Sequence, residues 1–330
     1  MKRRRLIALA GAAAAAPSLA RAEAAELRVA HQFGLGYLQF LLMDERKLVE
    51  KHAAAAGLAG VKATYAAVRS SDVINDGLIA GAFDFGCLGI PGIATIWSRT
   101  RGNVDVRGVS GLNSLPLILL TRNPAVKSVA DFTDKDRIAL PAVKVSMQAI
   151  LLQMMAARQF GEAQAGRFDP LTVSMAHPDA TVAMLGGVAE ITANFSSAPF
   201  QYRQMKDPNI RKLVSSNDIV GGRMSFNVIG APGKFRDANP KLYRAFLAAL
   251  EEATRIVNAD KRAAAEFYLK AANDRSPVEE ILAIMNDPEV EFTTRPLNIQ
   301  PMLDFIVKTG TLRAKPDKWQ DLFFPEALTG

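Results

Sequence analysis

The sequence predicts an α/β fold made of two lobes, and three observations support this. Short apolar stretches alternate with segments of helical periodicity, an order typical of mostly parallel sheets covered by helices. Two apolar stretches, 115–121 and 223–229, interrupt the alternation, and we interpret them as strands that cross between the lobes. After residue 233 the pattern becomes mainly helical. At 330 residues, 49% of them hydrophobic, the chain is long enough for two cores.

The first series of strands and helices precedes residue 115. Its apolar stretches predict strands at 27–32, 61–68, 83–88 and 104–109, and residues 110–114 are expected to form a loop. Predicted helices begin at Leu38, after the cap residues 70–72, and at 89–91.

The second series lies between the two crossings. It predicts strands at 138–140, 171–175, 190–195 and 211–214, with helices from Val145, after 177–179 and after Pro199. Further helices are predicted at 240–258 and from Asp260, Pro277 and Ile299. We therefore expect one lobe to comprise residues 27–119 and 225–330, and the other residues 120–224.

The N-terminus is typical of a signal peptide. Basic residues at 2–5 precede an apolar run at 6–16 and a small-residue site at 20–22. We expect residues 1–22 to be removed after Ala22, and the mature protein to lie in a bacterial periplasm. The arginines at 3–5 partly satisfy a twin-arginine pattern, but we favour the general export route.

Charge excludes a nucleic-acid surface as the main function. The formal net charge is +7, but five of the 40 Lys and Arg lie in the predicted leader. The remaining 35 face 33 acidic residues, a net charge of only +2. Cys87 is the only cysteine. No intrachain disulfide is possible, and its apolar strand predicts a buried thiol.

Local enzyme motifs are incomplete. Gln39 stands where a dinucleotide fingerprint starting at Gly34 needs its third glycine, and Leu112 replaces the final glycine of a nucleophile elbow. Val228 likewise stands where a phosphate-binding loop ending at Gly233 would need its first glycine. We therefore expect neither an enzyme nor a cofactor.

The three histidines are widely separated, without the spacing of metal ligands. His52 is expected to be solvated near a helix end. His31 and His177 end predicted strands and are possible cleft residues, with packing or capping as the alternative. Two acidic pairs are expected on solvated faces: Asp134 with Asp136, and Glu251 with Glu252.

Residues 136–160 show the feature on which the predicted site depends. A short apolar strand runs through residues 141–144 into a helix start. The first amides of a helix lack partners and carry partial positive charge, so such a loop can hold an anion or polar ligand. Open α/β sheets bind ligands at the carboxyl ends of their strands.

Three segments together resemble a known family. They are Leu27-Arg28-Val29-Ala30-His31-Gln32 with its glycine loop; Gly81-Ala82-Phe83-Asp84-Phe85-Gly86; and Lys127-Ser128-Val129-Ala130-Asp131-Phe132, followed by Arg137-Ile138-Ala139-Leu140-Pro141. Because these segments occur in this order, the mature chain resembles the substrate-binding proteins of ABC importers of the nitrate/sulfonate/taurine type.

The resemblance implies a type II periplasmic-binding fold, two α/β lobes that close over a small-molecule ligand. It implies a monomer that delivers the ligand to the transmembrane subunits of an ABC permease. The implied ligand-binding residues are Phe33, Gly34, Gly36, Tyr37, Ser70, Gly89, Pro91, Asn113, Ser114, Ser146, Gln148, Asn194, Ser196, Phe226 and Asn227.

The nature of the ligand stays open at this point. No arginine lies at a candidate position, and only Arg69 and Lys144 flank the loops. Sulfonate and nitrate-like ligands are therefore weighed equally with an organic or aromatic acid, because aromatic surface is expected from Phe33, Tyr37, Phe195 and Phe226.

Two other functions remain open. A related branch of this fold makes the pyrimidine precursor of thiamine, so an enzyme on the same scaffold is one alternative. A periplasmic sensor subunit, which presents its closed form to a receptor, is the other.

Overall fold

The computed structural model describes residues 23–187 and 190–328, so the predicted signal peptide lies outside the described residues. The described chain forms two sheets of six and five strands. The strands are β1 (Glu26–His31), β2 (Lys62–Ala67), β3 (Phe85–Leu88), β4 (Val106–Ser114), β5 (Ile118–Thr121), β6 (Ile138–Leu140), β7 (Thr172–Ser174), β8 (Ala193–Ser196), β9 (Arg211–Ser215), β10 (Asn227–Pro232) and β11 (Glu291–Phe292).

Helices cover both sheets. They are α1 (Leu38–Glu45), α2 (Leu48–Ala55), α3 (Ser71–Ala80), α4 (Ile90–Thr100), α5 (Met147–Phe160), α6 (His177–Gly186), α7 (Phe200–Gln204), α8 (Ser216–Val220), α9 (Gly233–Ala238), α10 (Pro240–Ala259), α11 (Lys261–Ala271), α12 (Val278–Asn286) and α13 (Gln300–Lys308).

Each sheet combines parallel and antiparallel pairs. The first has the order β11-β4-β10-β3-β1-β2, in which β1 is parallel to β2 and β3, and β10 is antiparallel to β3 and β4. The second has the order β7-β6-β8-β5-β9. In it, β6 is parallel to β7 and β8, and β5 is antiparallel to β8 and β9. We call the parts built on these sheets the first and second lobe.

The chain crosses between the lobes twice, as predicted. Residues 115–117 connect β4 in the first sheet to β5 in the second, and residues 221–226 return to β10. Each connection is hydrogen-bonded to the element that adjoins the other: the Phe226 N–H donates to the Asn113 carbonyl of β4 at 3.0 Å, and the Ser216 N–H at the start of α8 donates to the Leu117 carbonyl at 2.8 Å. The predicted two-lobed α/β fold with a helical C-terminal region is confirmed.

Several predicted elements differ from the structure. Residues 115–117 and 223–226, predicted as parts of the crossing strands, lie in the connections between strands. The single helix expected from Leu38 is two helices, because Lys47 adopts a left-handed conformation with φ of 51° between α1 and α2. The loop expected at 110–114 is instead the last part of β4. Pairing with β10 extends this strand, and that contact is distant in sequence.

The core of the first lobe is aromatic where its helices meet the sheet. Phe85 on β3 stacks on Phe246 of α10, with ring centroids 3.7 Å apart. The ring of Phe40 in α1 also lies beside the Phe246 ring, with centroids 6.4 Å apart. The C-terminal helix α10 therefore packs against the N-terminal strands and belongs to the first lobe's core.

Candidate functional site

Strand ends from the first lobe form one side of a cleft. β1 and β3 point their carboxyl ends there, and β10, antiparallel to β3, begins at the same edge. The residues just beyond these ends are Gln32 after β1, Gly89 after β3, and Phe226 before β10. This is the edge at which open α/β sheets bind ligands.

The second lobe presents the matching edge. β6 ends at Leu140 and leads to Pro141, and α5 and α6 begin at Met147 and His177. The two lobes touch here, because the Leu35 N–H of the first donates to the Ala198 carbonyl of the second at 3.1 Å.

Gly34 allows this close approach. Its φ is 120°, and a Cβ at this position would lie 2.8 Å from the Ala198 carbonyl oxygen and 3.3 Å from the Phe200 ring. A side chain at residue 34 would therefore separate the lobes as well as strain the loop.

A small inner cavity lies between the lobes. Its volume is about 10 Å³, close to the space of one water-sized group. The residues that line it are Gln32, Tyr37, Ser71, Gly89, Pro141, Met147, Gln148, His177, Phe226 and Asn227.

Four helices begin at the inner cavity. Ser71, Met147 and His177 are the first residues of α3, α5 and α6, and Gly89 is the N-cap of α4. A Cβ on Gly89 would lie 3.3 Å from the Met147 side chain, so the starts of α4 and α5 face each other across the cleft. Because each helix start carries partial positive charge, the cavity favours a group that accepts hydrogen bonds.

His177, a residue of this lining, has a ring nitrogen without a hydrogen-bond partner among the described residues. The Gln148 side-chain amide nitrogen lies 3.3 Å from His177 Nε2, and since an amide nitrogen only donates, Nε2 accepts and the ring proton is on Nδ1. Nδ1 is buried and has no hydrogen-bond partner among the described residues. Burial lowers the His177 pKa to about 4, so the ring is neutral at pH 7.

The other polar groups of the inner cavity are also uncharged. The Tyr37 hydroxyl donates to Asn227 Oδ1 at 3.4 Å, and burial raises its pKa, which keeps it protonated. The Gln32 amide nitrogen lies 3.5 Å from Ser71 Oγ. The lining therefore offers hydrogen bonds and helix starts, without a charged side chain.

A larger outer cavity adjoins the inner one, and both are lined by Gln32 and Tyr37. Its volume is about 440 Å³. The remaining lining residues are His31, Phe33, Gly34, Leu41, Ala67, Pro178, Phe200, Arg203, Tyr268, Ala271, Ala272, Asn273 and Asp274. Arg203 of the second lobe and Asp274 of the first form an ion pair at its edge.

The structure brings many of the predicted site residues together. Tyr37, Gly89, Gln148, Phe226, Asn227 and the possible residue His177 line the inner cavity. Phe33, Gly34 and the possible residue His31 line the outer one, with Tyr37 shared.

The other predicted residues lie behind the cavities, and neither lining includes them. They are Gly36, Ser70, Pro91, Asn113, Ser114, Ser146, Asn194 and Ser196. Several support the site from behind: Asn113 donates to the Gly36 carbonyl at 2.6 Å, and Ser146 accepts from the Ala149 N–H at 3.2 Å as the cap of α5.

Several cavity residues were not predicted. Gln32 and Pro141 directly follow strands, and Ser71 and Met147 stand one residue beyond predicted positions, so the strand-end rule contained the signal for them. Arg203 and Asp274 had no such signal, because their role depends on two elements that meet only in the folded chain. The flanking cations Arg69 and Lys144 are both exposed and line neither cavity.

Of three expectations outside the site, the structure confirms one and contradicts two. Cys87 is buried as predicted, and burial raises its pKa. His52 is not a solvated residue, because its Nε2 lies 2.7 Å from Glu252 Oε2. Asp136 is not on a solvated face either: it is buried and accepts hydrogen bonds from Asn123, Thr133 and Thr192.

Within residues 23–187 and 190–328, no group of three or more His, Cys, Asp or Glu side chains is placed to hold a metal ion. No helix in the same ranges is long and apolar enough to cross a membrane.

No protein-family model matches the chain, and no curated protein sequence matches it. Solved structures do. The alkanesulfonate-binding protein SsuA of Xanthomonas axonopodis pv. citri, bound to MOPS, has a TM-score of 0.68 at 17% identity, covering 93% of this chain and 99% of that chain. The periplasmic aliphatic sulphonate binding protein SsuA of Escherichia coli has a TM-score of 0.65 at 20% identity, covering 93% and 95%.

The periplasmic nitrate-binding protein NrtA of Synechocystis PCC 6803 is also similar, with a TM-score of 0.69 at 15% identity, covering 89% of this chain and 84% of that chain. In each case the similarity covers most of this chain. The chain therefore has the two-lobed fold of the type II periplasmic solute-binding proteins.

Proposed function

We propose that this protein is an exported solute-binding protein, which captures a small polar or anionic organic solute between its lobes and delivers it to an ABC permease. The observation that carries the proposal is the buried His177 Nδ1–H, an unpartnered donor at an inner cavity where four helices begin. A buried donor without a partner costs roughly 1–3 kcal/mol, and a ligand oxygen bonded to it removes that cost.

Ligand capture follows from the lining. Gln32, Gly89 and Asn227 come from the first lobe, and Gln148 and His177 from the second. A ligand that contacts both sets binds the closed arrangement better than the open one, and this difference shifts the lobes towards closure. We propose residues 27–119 with 225–330 and residues 120–224 as the lobes that move.

The proposal for the partners and the compartment is supported by proteins of the same fold. The similar SsuA of Escherichia coli and NrtA are described as periplasmic binding proteins, and the predicted leader agrees with export. We propose that this chain works as a monomer in the periplasm and does not act as an enzyme.

A thermal-shift screen of a metabolite library tests the function. A true ligand raises the melting temperature, and above its Kd the shift grows with the logarithm of the ligand concentration, because the ligand binds only the native state. The same ligand should give little or no shift with His177→Phe, which keeps the ring against Phe200 but removes the donor. An equal shift in both proteins would argue against this cleft.

Two further observations separate the alternatives. Product formed on prolonged incubation with the ligand would identify an enzyme. Permease and ATPase genes beside this gene support an importer, whereas a receptor gene without them supports a sensor subunit.

A further inference from the structure

The two cavities differ in size and chemistry, and this difference restricts the ligand. The inner cavity is about 10 Å³ and its polar lining surrounds four helix starts. The outer cavity is about 440 Å³. For comparison, a cavity of about 150 Å³ is already large enough for benzene.

The walls of the outer cavity are mainly apolar. Phe33, Leu41, Phe200, Tyr268 and Ala271 contribute to them from both lobes. Phe200 stacks on His177, with ring centroids 5.9 Å apart and planes 18° apart, so the aromatic wall continues to the donor in the inner cavity. Flat apolar walls of this kind suit a ring, since aromatic surfaces pack by stacking or edge contact.

Donors are available at both ends. In the inner cavity the His177 Nδ1–H is unpartnered, and at the outer cavity the Arg203 Nε–H is buried without a partner among the described residues. The Arg203 charge is balanced by Asp274, so the two adjoining cavities offer donors without excess positive charge.

We propose that the ligand of this cleft is a single-ring aromatic oxyanion, a carboxylate or sulfonate, with one acid oxygen in the inner cavity and the ring in the outer cavity. The proposal rests on the proposed function. It excludes nitrate and other inorganic anions as the main ligand, since they would leave the apolar walls without contact.

Calorimetry with four probes tests this: benzoate, benzenesulfonate, acetate and nitrate. Benzoate or benzenesulfonate is expected to bind at least about tenfold more tightly than acetate or nitrate, because only the ring compounds remove the apolar walls from water. Acetate or nitrate binding as tightly as both ring compounds would overturn the proposal.

A substitution in the outer wall gives a second readout. Ala271 is exposed on the last turn of α11, so Ala271→Phe fills the outer cavity without overpacking the core. It is expected to weaken binding of the ring compound at least about tenfold, while Ala263→Phe, at an exposed position near the start of the same helix, leaves it unchanged. Equal affinity of the Ala271→Phe variant and the unsubstituted protein contradicts the proposed ring position.

The outcomes also separate the two proposals. If neither ring compound binds but another solute from the library raises the melting temperature in a His177-dependent way, the ligand class is wrong and the proposed function stands. If no solute does so, the proposed function fails as well.

Discussion

A single imidazole shows how burial and hydrogen bonding define the cleft. His177 begins α6, stacks on Phe200 and lies beside Gln148. Its position after a strand indicated the cleft from the sequence. Its tautomer and lowered pKa were not predictable, because they depend on Gln148 and Phe200 from other parts of the chain.

His177 should make stability pH-dependent. The unfolded imidazole takes up a proton below about pH 6.5, whereas the folded one does so only at about pH 4. Between these values the unfolded chain binds more protons, so acidification lowers the free energy of unfolding, by about 2 kcal/mol from pH 7 to pH 5. Urea unfolding at pH 7 and pH 5 checks this: for His177→Phe, the fall in the free energy of unfolding between the two pH values should be smaller by this amount. The same fall in both proteins would mean that His177 is accessible to water.

Asp136 should be a stabilising residue of the second lobe. Although burial opposes its ionisation, hydrogen bonds from Thr133, Asn123 and Thr192 lower its pKa. Its contribution is therefore present above the unfolded pKa and is lost as the pH falls through the folded pKa. Asp136→Asn should lower the free energy of unfolding at pH 7 by about 2–3 kcal/mol, because the amide cannot accept all these bonds. In urea unfolding, the exposed neighbour Asp134 provides the control: Asp134→Asn should have a much smaller effect.

At the scale of elements, local chemistry explains what the sequence could predict. Gly81 ends α3 with φ of 73°, and the parallel strands β1, β2 and β3 lie within two residues of their predicted bounds. The sequence could not show the full length of β4 or the break between α1 and α2. The first depends on β10, more than a hundred residues away, and the second on Lys47 in an unusual conformation.

Two serines at helix starts should differ in their effect on stability. Ser146 caps α5 by accepting from the Ala149 N–H, whereas Ser70 makes no capping hydrogen bond at α3. Ser146→Ala should therefore cost about 1 kcal/mol of unfolding free energy, and Ser70→Ala clearly less. Chemical denaturation of the two variants compares them directly. A similar loss in both would show that the cap bond of Ser146 contributes little.

At the scale of the whole molecule, polar contacts tie the lobes together at the edge of the outer cavity and beyond it. Arg203 in α7 pairs with Asp274 of the first lobe. Lys206, just after α7, pairs with Glu280 of the same lobe. On another face Asn217 donates to Glu289 at 2.9 Å. The two-lobed architecture was predictable from the alternation of strands and helices, but these contacts were not, since nothing in the sequence pairs α7 with the region after α11. The bounds at residues 119 and 225 remain a prediction; β5 begins at Ile118, two residues before the predicted second lobe.

Removing one of these contacts should favour the open arrangement. Asp274→Asn leaves Arg203 without its ionic partner and should weaken closure by about 1–2 kcal/mol. Small-angle scattering should then show a larger radius of gyration than for the unsubstituted protein. Glu279→Gln is the control, because Glu279 pairs with Arg262, which belongs to the same lobe. No change in radius for Asp274→Asn would mean that this ion pair does not hold the lobes together.

The position of β10 also determines the order in which the protein can fold. This strand lies between β3 and β4, so the first sheet lacks an inner member until residue 232 is available, whereas all strands of the second sheet come from residues 118–215. The second lobe can therefore complete its sheet from residues 118–215 before the first lobe has all of its strands. Until then β3 and β4 have unpaired edges, so the N-terminal region of the partly folded chain is the part most exposed to aggregation.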